Sequence, residues 1–173
     1  FRSGLRILLS RAVTAYHAGE LEVQRRMGQA EIAVRVGRMI RTEIPAAAAA
    51  FLAEQPLVVL AATDDAGRIW ASLVTGPAGF VHADADQTIV VDALPVPGDP
   101  LHDVLQQPDQ QVGMIAIEPQ TRRRMRVNGQ AQPTEDGLRI HPDQVYSNCP
   151  KYISRRHIQE VNADRHRPVG HPR

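Results

Sequence analysis

The sequence contains very little cysteine, lysine or aromatic side chain. Its 173 residues include one cysteine, one tryptophan, three tyrosines and three phenylalanines, and Lys151 is the only lysine. A single cysteine excludes an intrachain disulfide framework and a zinc site built from several cysteines. It is compatible with a reducing compartment, and we expect a cytoplasmic protein.

Long apolar runs and a strong net charge are also missing. Arg6 and Arg11 interrupt the apolar stretch 5–13, so it is not a secretion signal, and no run approaches the roughly twenty apolar residues that span a bilayer. The formal net charge of +1 argues against nucleic acid and anionic membranes as partners. The chain begins with Phe1, as expected of a sequence whose start lies further upstream.

Several catalytic motifs are absent. No pair of the seven histidines has the spacing of a metal site, so we expect no metal. There is no GxGxxG, P-loop or GxSxG element, which excludes the functions built on those motifs. No histidine adjoins Cys149 as a base, which favours a packed thiol over a nucleophile. No catalytic residue is predicted.

The order of elements predicts a mainly β protein with flanking helices. Apolar spacing of three and four predicts a helix from residue 30 to about 40, and Pro45 begins another. Strand and turn patterns then alternate, with strands predicted at residues 57–60, 68–75, 80–81, 88–91, 112–117, 122–131 and 138–146. A short helix is predicted at 100–106, with Asp99 as its cap, and a last one at 151–161.

These elements predict a split β-barrel of about six antiparallel strands. Residues 1–55 are predicted to form a helical segment that packs on the barrel, and residues 56–161 the barrel with its C-terminal helix. Residues 162–173, rich in arginine, histidine and proline, are predicted to be a disordered tail.

One strand is strongly basic. Alternation places Arg124 and Arg126 on one face, roughly 6.5–7 Å apart, where their guanidinium groups suit a phosphate or a flavin carbonyl. The alternative is a charged face that only keeps the strand soluble.

Two further segments have alternative interpretations. Trp70 and Ser72 share a strand face with room for a planar ring, but Trp70 is equally suited to filling the core. Gly98 precedes a helix whose free N–H groups favour an anion, whereas Asp99 would compete for those same donors. An ordinary capped helix is therefore the favoured interpretation of the second segment.

The order of four segments resembles the pyridoxamine 5'-phosphate oxidase-like flavin-binding family. They are Arg-Ile-Trp-Ala-Ser-Leu at 68–73, Gly-Asp-Pro-Leu at 98–101, Arg-Arg-Met-Arg-Val-Asn-Gly at 123–129 and Tyr-Ser-Asn-Cys-Pro-Lys-Tyr-Ile at 146–153. The upstream segment His-Ala-Gly-Glu at 17–20 also resembles the start of the family's longer bacterial members. The resemblance spans about residues 16–156, and the last segment is the most specific.

The resemblance implies a split barrel that binds FMN at a homodimer interface and catalyses two-electron oxidation or reduction of a small molecule. The cofactor-binding residues that it implies are Trp70, Ala71, Ser72, Arg124, Arg126, Ser147, Asn148 and Lys151. The oxidase proper has a Ser-Arg-Lys phosphate clamp where this chain has Gly98 to Leu101. Asp99 therefore argues against pyridoxamine phosphate as the substrate.

Other functions and boundaries remain open at this point. The same fold could bind a deazaflavin or haem in place of FMN, or it could be a cofactor-free module for dimerisation or protein interaction, which Asp99 favours. The longer relatives look like two barrel modules in tandem, and this chain resembles the first. It is either a single-module protein or a fragment of a longer one.

Overall fold

The computed structural model describes residues 15–84, 87–147 and 150–157. The chain divides into two compact units, residues 1–38 and residues 39–173. The first unit contains two short helices, α1 (Ala18–Arg26) and α2 (Ala30–Gly37). The His17 imidazole caps α1 by accepting the Gly19 N–H, and the Glu20 carboxylate accepts the His17 N–H, which satisfies donors that a helix start leaves unpaired. The domain ranges predicted from the sequence stay predictions.

The second unit is a curled antiparallel sheet of seven strands with flanking helices. Its helices are α3 (Ala46–Ala53) and α4 (Pro100–Val104). Its strands are β1 (Leu57–Thr63), β2 (Ile69–Thr75), β3 (Val81–Ala83), β4 (Ile89–Val91), β5 (Gln110–Glu118), β6 (Arg123–Pro133) and β7 (Leu138–Tyr146). The spatial order is β2-β1-β5-β6-β7-β4-β3. The fold class predicted from the sequence, a mainly β split barrel, is confirmed, with seven strands where about six were expected.

Alternation along the strands places one face of the sheet in the core. In β6, Met125, Val127 and Ala131 are buried, whereas Arg124 and Arg126 point to the other face, as predicted. Leu52 of α3 and Leu101 of α4 are fully buried in the same core. Both helices therefore cover the inner face of the sheet and close the core that the strands begin.

A hydrogen-bonded turn after β1 and a bulge between β6 and β7 shape the sheet. The turn after β1 is organised by Asp64, whose carboxylate accepts hydrogen bonds from the N–H groups of Ala66 and Arg68 at 3.0 and 2.8 Å. Its other oxygen accepts from Arg68 Nε at 2.7 Å and from the Trp70 indole at 2.9 Å. In the β6–β7 pair, the register shifts between Asn128 and Gly129, which forms a bulge.

The predicted C-terminal helix is wrong in the part that the structure describes. Pro150–Tyr152 forms a single 3-10 turn, and residues 153–157 are not helical. Instead of joining a helix, the Arg156 N–H donates to the Pro119 carbonyl at 3.1 Å. Residues 158–161 and the predicted tail lie outside the described residues.

Among the described residues, no helix combines the length and the apolar character that crossing a bilayer requires. Within the same residues, no group of three or more histidine, cysteine or acidic side chains is placed to hold a metal ion.

Candidate functional site

A cavity of about 520 Å³ opens at one end of the sheet, in the second unit. Three segments line it: residues 39–51, which lead into and form α3, residues 121–125 at the start of β6, and residues 145–147 at the end of β7. The antiparallel register places the start of β6 beside the end of β7, with Arg126 opposite Tyr146 and Val127 opposite Val145. Strand pairing thus brings the two segments of β6 and β7 together.

Backbone hydrogen bonds fix the segment 39–51 to β7. The Arg41 N–H donates to the Val145 carbonyl at 3.0 Å, and the Val145 N–H donates back to the Arg41 carbonyl at 2.6 Å. Ile44 is buried, and its N–H donates to Gln87 Oε1 at 2.6 Å. The stretch from Arg41 to Ile44, which precedes α3, is therefore held in place at both of its ends.

One wall of the cavity is apolar. Phe51, with 4% of its surface exposed, and Met125 belong to the hydrophobic core and also face the cavity. Met39, Pro45 and two alanines of α3 extend this wall. Apolar lining with a few polar groups is typical of sites that bind small molecules and cofactors.

The other wall is basic. Arg41, Arg122, Arg123 and Arg124 all line the cavity, and no acidic residue of the described ranges is among the lining residues. The Arg123 guanidinium lies 4.7 Å from the centre of the Phe51 ring, a cation–π contact, and 3.9 Å from Glu118. A cavity with this composition is suited to a ligand that combines a flat apolar body with negative charge.

Two of the predicted cofactor residues meet in this cavity. Arg124 is half-buried in its basic wall, and Ser147 lies at its rim, next to Tyr146. Arg126 and Lys151 do not line it. Arg126 is exposed and lies 5.5 Å from the Tyr146 ring, and the exposed Lys151 ammonium lies 5.5 Å from the Tyr152 ring. Asn148 and Cys149 lie outside the described residues.

The other three predicted residues lie on β2, an edge strand that β1 and β5 separate from β6. Trp70 and Ser72 share the inner face, as expected, and Ala71 points outward. The Trp70 indole donates to Asp64, as described above. The buried Ser72 hydroxyl donates to Asp99 Oδ1 at 2.6 Å. The polar atoms of both inner-face residues therefore have partners within the protein.

Asp99 fills the helix start that could have bound an anion. It is the N-cap of α4, and its Oδ1 accepts the Leu101 N–H at 2.8 Å as well as the Ser72 hydroxyl. The competition expected from the sequence is thus present, and the interpretation of an ordinary capped helix is confirmed.

The lining residues that sequence reasoning missed include Arg41, Arg122, Phe51 and Tyr146. The run of three arginines at 122–124 and the tyrosine beside Ser147 were available signals. Arg41 and Phe51 belong to a segment far away in sequence, and long-range contacts bring it to the site, namely core packing and the hydrogen bonds to β7. No local pattern could have indicated that contact.

The fold and the cavity together define the class: a mainly β protein of the split-barrel type with an arginine-lined cavity at one end of its sheet. No protein-family model matches the chain, and none of the curated protein sequences matches it significantly.

Two solved structures are similar to it, and both are of HupZ from Group A Streptococcus. A histidine-to-alanine variant of HupZ has 11% identity and a TM-score of 0.45, covering 61% of this chain and 99% of its own. HupZ itself has 13% identity and a TM-score of 0.42, covering 57% and 89%.

Proposed function

We propose that the chain binds FMN in the arginine-lined cavity and acts as a flavin-dependent oxidoreductase on a small molecule. The observation that supports this most is the composition of the cavity: Phe51 and Met125 line it together with four arginines, and none of the described lining residues is acidic. A volume of about 520 Å³ is within the usual range for sites that take cofactors.

The residues present fit an anionic flavin. The wall formed by Phe51, Met125 and Met39 would contact the flat face of the ring system and keep water from it. The arginine wall would bind the phosphate and the ring carbonyls, and the half-buried Arg124 guanidinium would stabilise negative charge on the reduced ring. Bound FMN would supply two-electron transfer, which no side chain provides.

Haem is a second candidate, favoured by one observation. Met39 and Tyr146 line the cavity, and thioether and phenolate groups are among the side chains that ligate haem iron. The arginines would then pair with the haem carboxylates. Among the residues that the structure describes, no histidine or cysteine lines the cavity, which favours FMN over haem.

An absorbance spectrum of the purified protein, followed by titration with FMN, tests the proposal. We expect flavin bands in the protein as isolated, or a rise in Tm that grows with FMN concentration, because a ligand that binds only the folded state stabilises it. Deazaflavin or haem bands would assign a different cofactor to the same cavity. A colourless protein whose Tm does not respond to FMN would contradict the proposal and favour the cofactor-free alternative.

We also propose that the chain forms a homodimer through the outer face of β2. Ile69 and Leu73 are 78% and 59% exposed there, with Ala71 between them. Leu73 pairs with Val59 of β1, which pairs with Ile115 of β5, so the apolar surface continues across three strands. A second copy is the partner that this surface suits, since a two-fold axis places the same apolar patch on both sides.

The proposal includes a cytoplasmic location, which the single cysteine supports.

A further inference from the structure

Arg122 is held in an uncommon conformation at the edge of the cavity. It ends the turn between β5 and β6 with a φ of +64°, in the left-handed region, where a non-glycine residue is uncommon. Its N–H donates to the Glu118 carbonyl at 2.8 Å, which fixes the backbone from which the side chain enters the cavity.

The guanidinium of Arg122 has an unused donor. Its Nε is buried, yet no hydrogen-bond partner for this atom exists in the described part of the chain. Buried polar groups in proteins are nearly always hydrogen-bonded, because an unmade bond from a charged donor is costly. An unpaired buried donor that borders a cavity is available to a hydrogen-bond acceptor that a ligand brings.

Among the described residues, neither Arg122 nor Arg41 has an acidic side chain within ion-pair distance. Glu118 is the acidic residue of the turn, and it already accepts a hydrogen bond from the Thr121 hydroxyl and forms the ion pair with Arg123. On the opposite segment, Arg41 also forms no ion pair within residues 15–84, 87–147 and 150–157, and its backbone is fixed to Val145. Two cationic side chains therefore border the cavity from anchored backbone positions without a matching negative charge.

The start of α4 is not suited to binding an anionic group. Its N-cap carboxylate, Asp99, occupies the Leu101 N–H and the Ser72 hydroxyl and would repel a second anion. The cavity, with its four arginines, is the better place for an anionic group.

We propose that Arg122 and Arg41 bind the phosphate group of the ligand and make the cavity selective for a phosphate monoester over its unphosphorylated form. This rests on the proposed function, and it assigns the phosphate to residues outside the segment where the resemblance would place it. Arg122 and Arg41 are then specificity-determining residues, whereas the apolar wall binds both forms equally.

Isothermal titration with FMN and with riboflavin tests this selectivity. We expect the wild type to bind FMN at least about tenfold more tightly, since hydrogen bonds to charged groups are among the strong ones. Arg122→Gln and Arg41→Gln should each weaken FMN binding by about tenfold to a hundredfold and leave riboflavin binding unchanged. Arg122→Lys should recover part of the loss, because it keeps the charge without the planar fork. Circular dichroism checks that each variant is folded.

Arg35→Gln is the matched control, since it removes the same charge from an exposed position on α2. It should leave both affinities unchanged. Equal binding of FMN and riboflavin to the wild type would overturn the inference while leaving flavin binding intact, and so would an equal loss of both ligands in Arg122→Gln.

If the wild type binds neither flavin, the proposed function fails. Titration with inorganic phosphate then tests whether Arg122 and Arg41 form an anion-binding site. Phosphate binding that Arg122→Gln loses would keep them as an anion site. No phosphate binding to the wild type would overturn the inference as well.

Discussion

Asp64 shows how one side chain can organise a turn and a neighbouring strand. Its carboxylate, 11% exposed, accepts four hydrogen bonds from Ala66, Arg68 and Trp70. The Trp70 indole and the Arg68 backbone N–H lower the pKa of Asp64 from 3.8 to about 2, because they stabilise the ionised form. The only tryptophan of the chain thus reports directly on the charge of this carboxylate.

The stability of the protein should therefore depend on pH through Asp64. Its pKa in the folded state lies below the unfolded value, so its contribution to the free energy of unfolding is complete above about pH 4 and is lost as the pH falls toward 2. We expect urea unfolding, followed by Trp70 fluorescence, to show this loss in the wild type. Asp64→Asn should be less stable at pH 7 and should lack that component of the pH dependence.

Asp65→Asn is the control for this experiment, since Asp65 is an exposed neighbour in the same turn. It should follow the wild-type pH dependence. Parallel pH curves for the wild type and Asp64→Asn would contradict the assignment.

The sequence predicted where individual residues lie more accurately than it predicted their hydrogen-bond partners. Arg124 and Ser147 were selected from their motifs, and both line the cavity. Trp70 and Ser72 were correctly placed on one strand face, but the sequence did not indicate their polar partners, Asp64 in the turn before β2 and Asp99 at the cap of α4. The positive φ of Arg122 could not be predicted, because an arginine gives no sign of it in the sequence.

Among the elements, strands with a clear period of two were predicted well and the last helix was not. β7 was predicted with the bounds that the structure has, and β5 and β6 are longer than predicted because they extend each other as a hairpin. The segment after Pro150 has helix-forming residues, but most of its described residues are exposed. Packing therefore does not stabilise a helix there, and Arg156 bonds to Pro119 instead.

The bulge between β6 and β7, where Asp143 is the extra residue on β7, provides a test of strand packing. A Cβ on Gly129 would lie 2.2 Å from the His141 carbonyl oxygen and 2.9 Å from Pro142 Cα, both backbone atoms of β7. We expect Gly129→Ala to lower the free energy of unfolding by about 1–3 kcal/mol, because the two strands would have to move apart. Chemical denaturation with a fitted m-value measures the change.

Gly113→Ala is the matched control on β5, the other neighbour of β6. Its Cβ would lie 3.6 Å from Asn128 Oδ1, an ordinary contact, so its effect should stay within about 0.5 kcal/mol. Equal losses for the two variants would show that strand glycines in general, and not the close approach at the bulge, determine the cost.

For the molecule as a whole, the proposed dimer can be tested through its apolar face. Leu73→Glu places a charge in the middle of the outer face of β2, where burial in an interface would be costly. We expect sedimentation velocity to show a dimer for the wild type and a monomer for Leu73→Glu. Gln106→Glu, an exposed change after α4, should remain a dimer. A wild type that sediments as a monomer at micromolar concentration would contradict the proposal.

The pairing of Arg41 with Val145 has a consequence for how the protein folds. These two residues lie far apart in the sequence of the second unit. Their contact therefore closes a long loop of chain, and forming it early in folding would cost conformational entropy. We infer that the pairing forms late, after the local hairpins, and that the cavity is absent from partly folded states. A ligand of the cavity would then slow unfolding without accelerating folding, since it has nothing to bind until the last contacts are made.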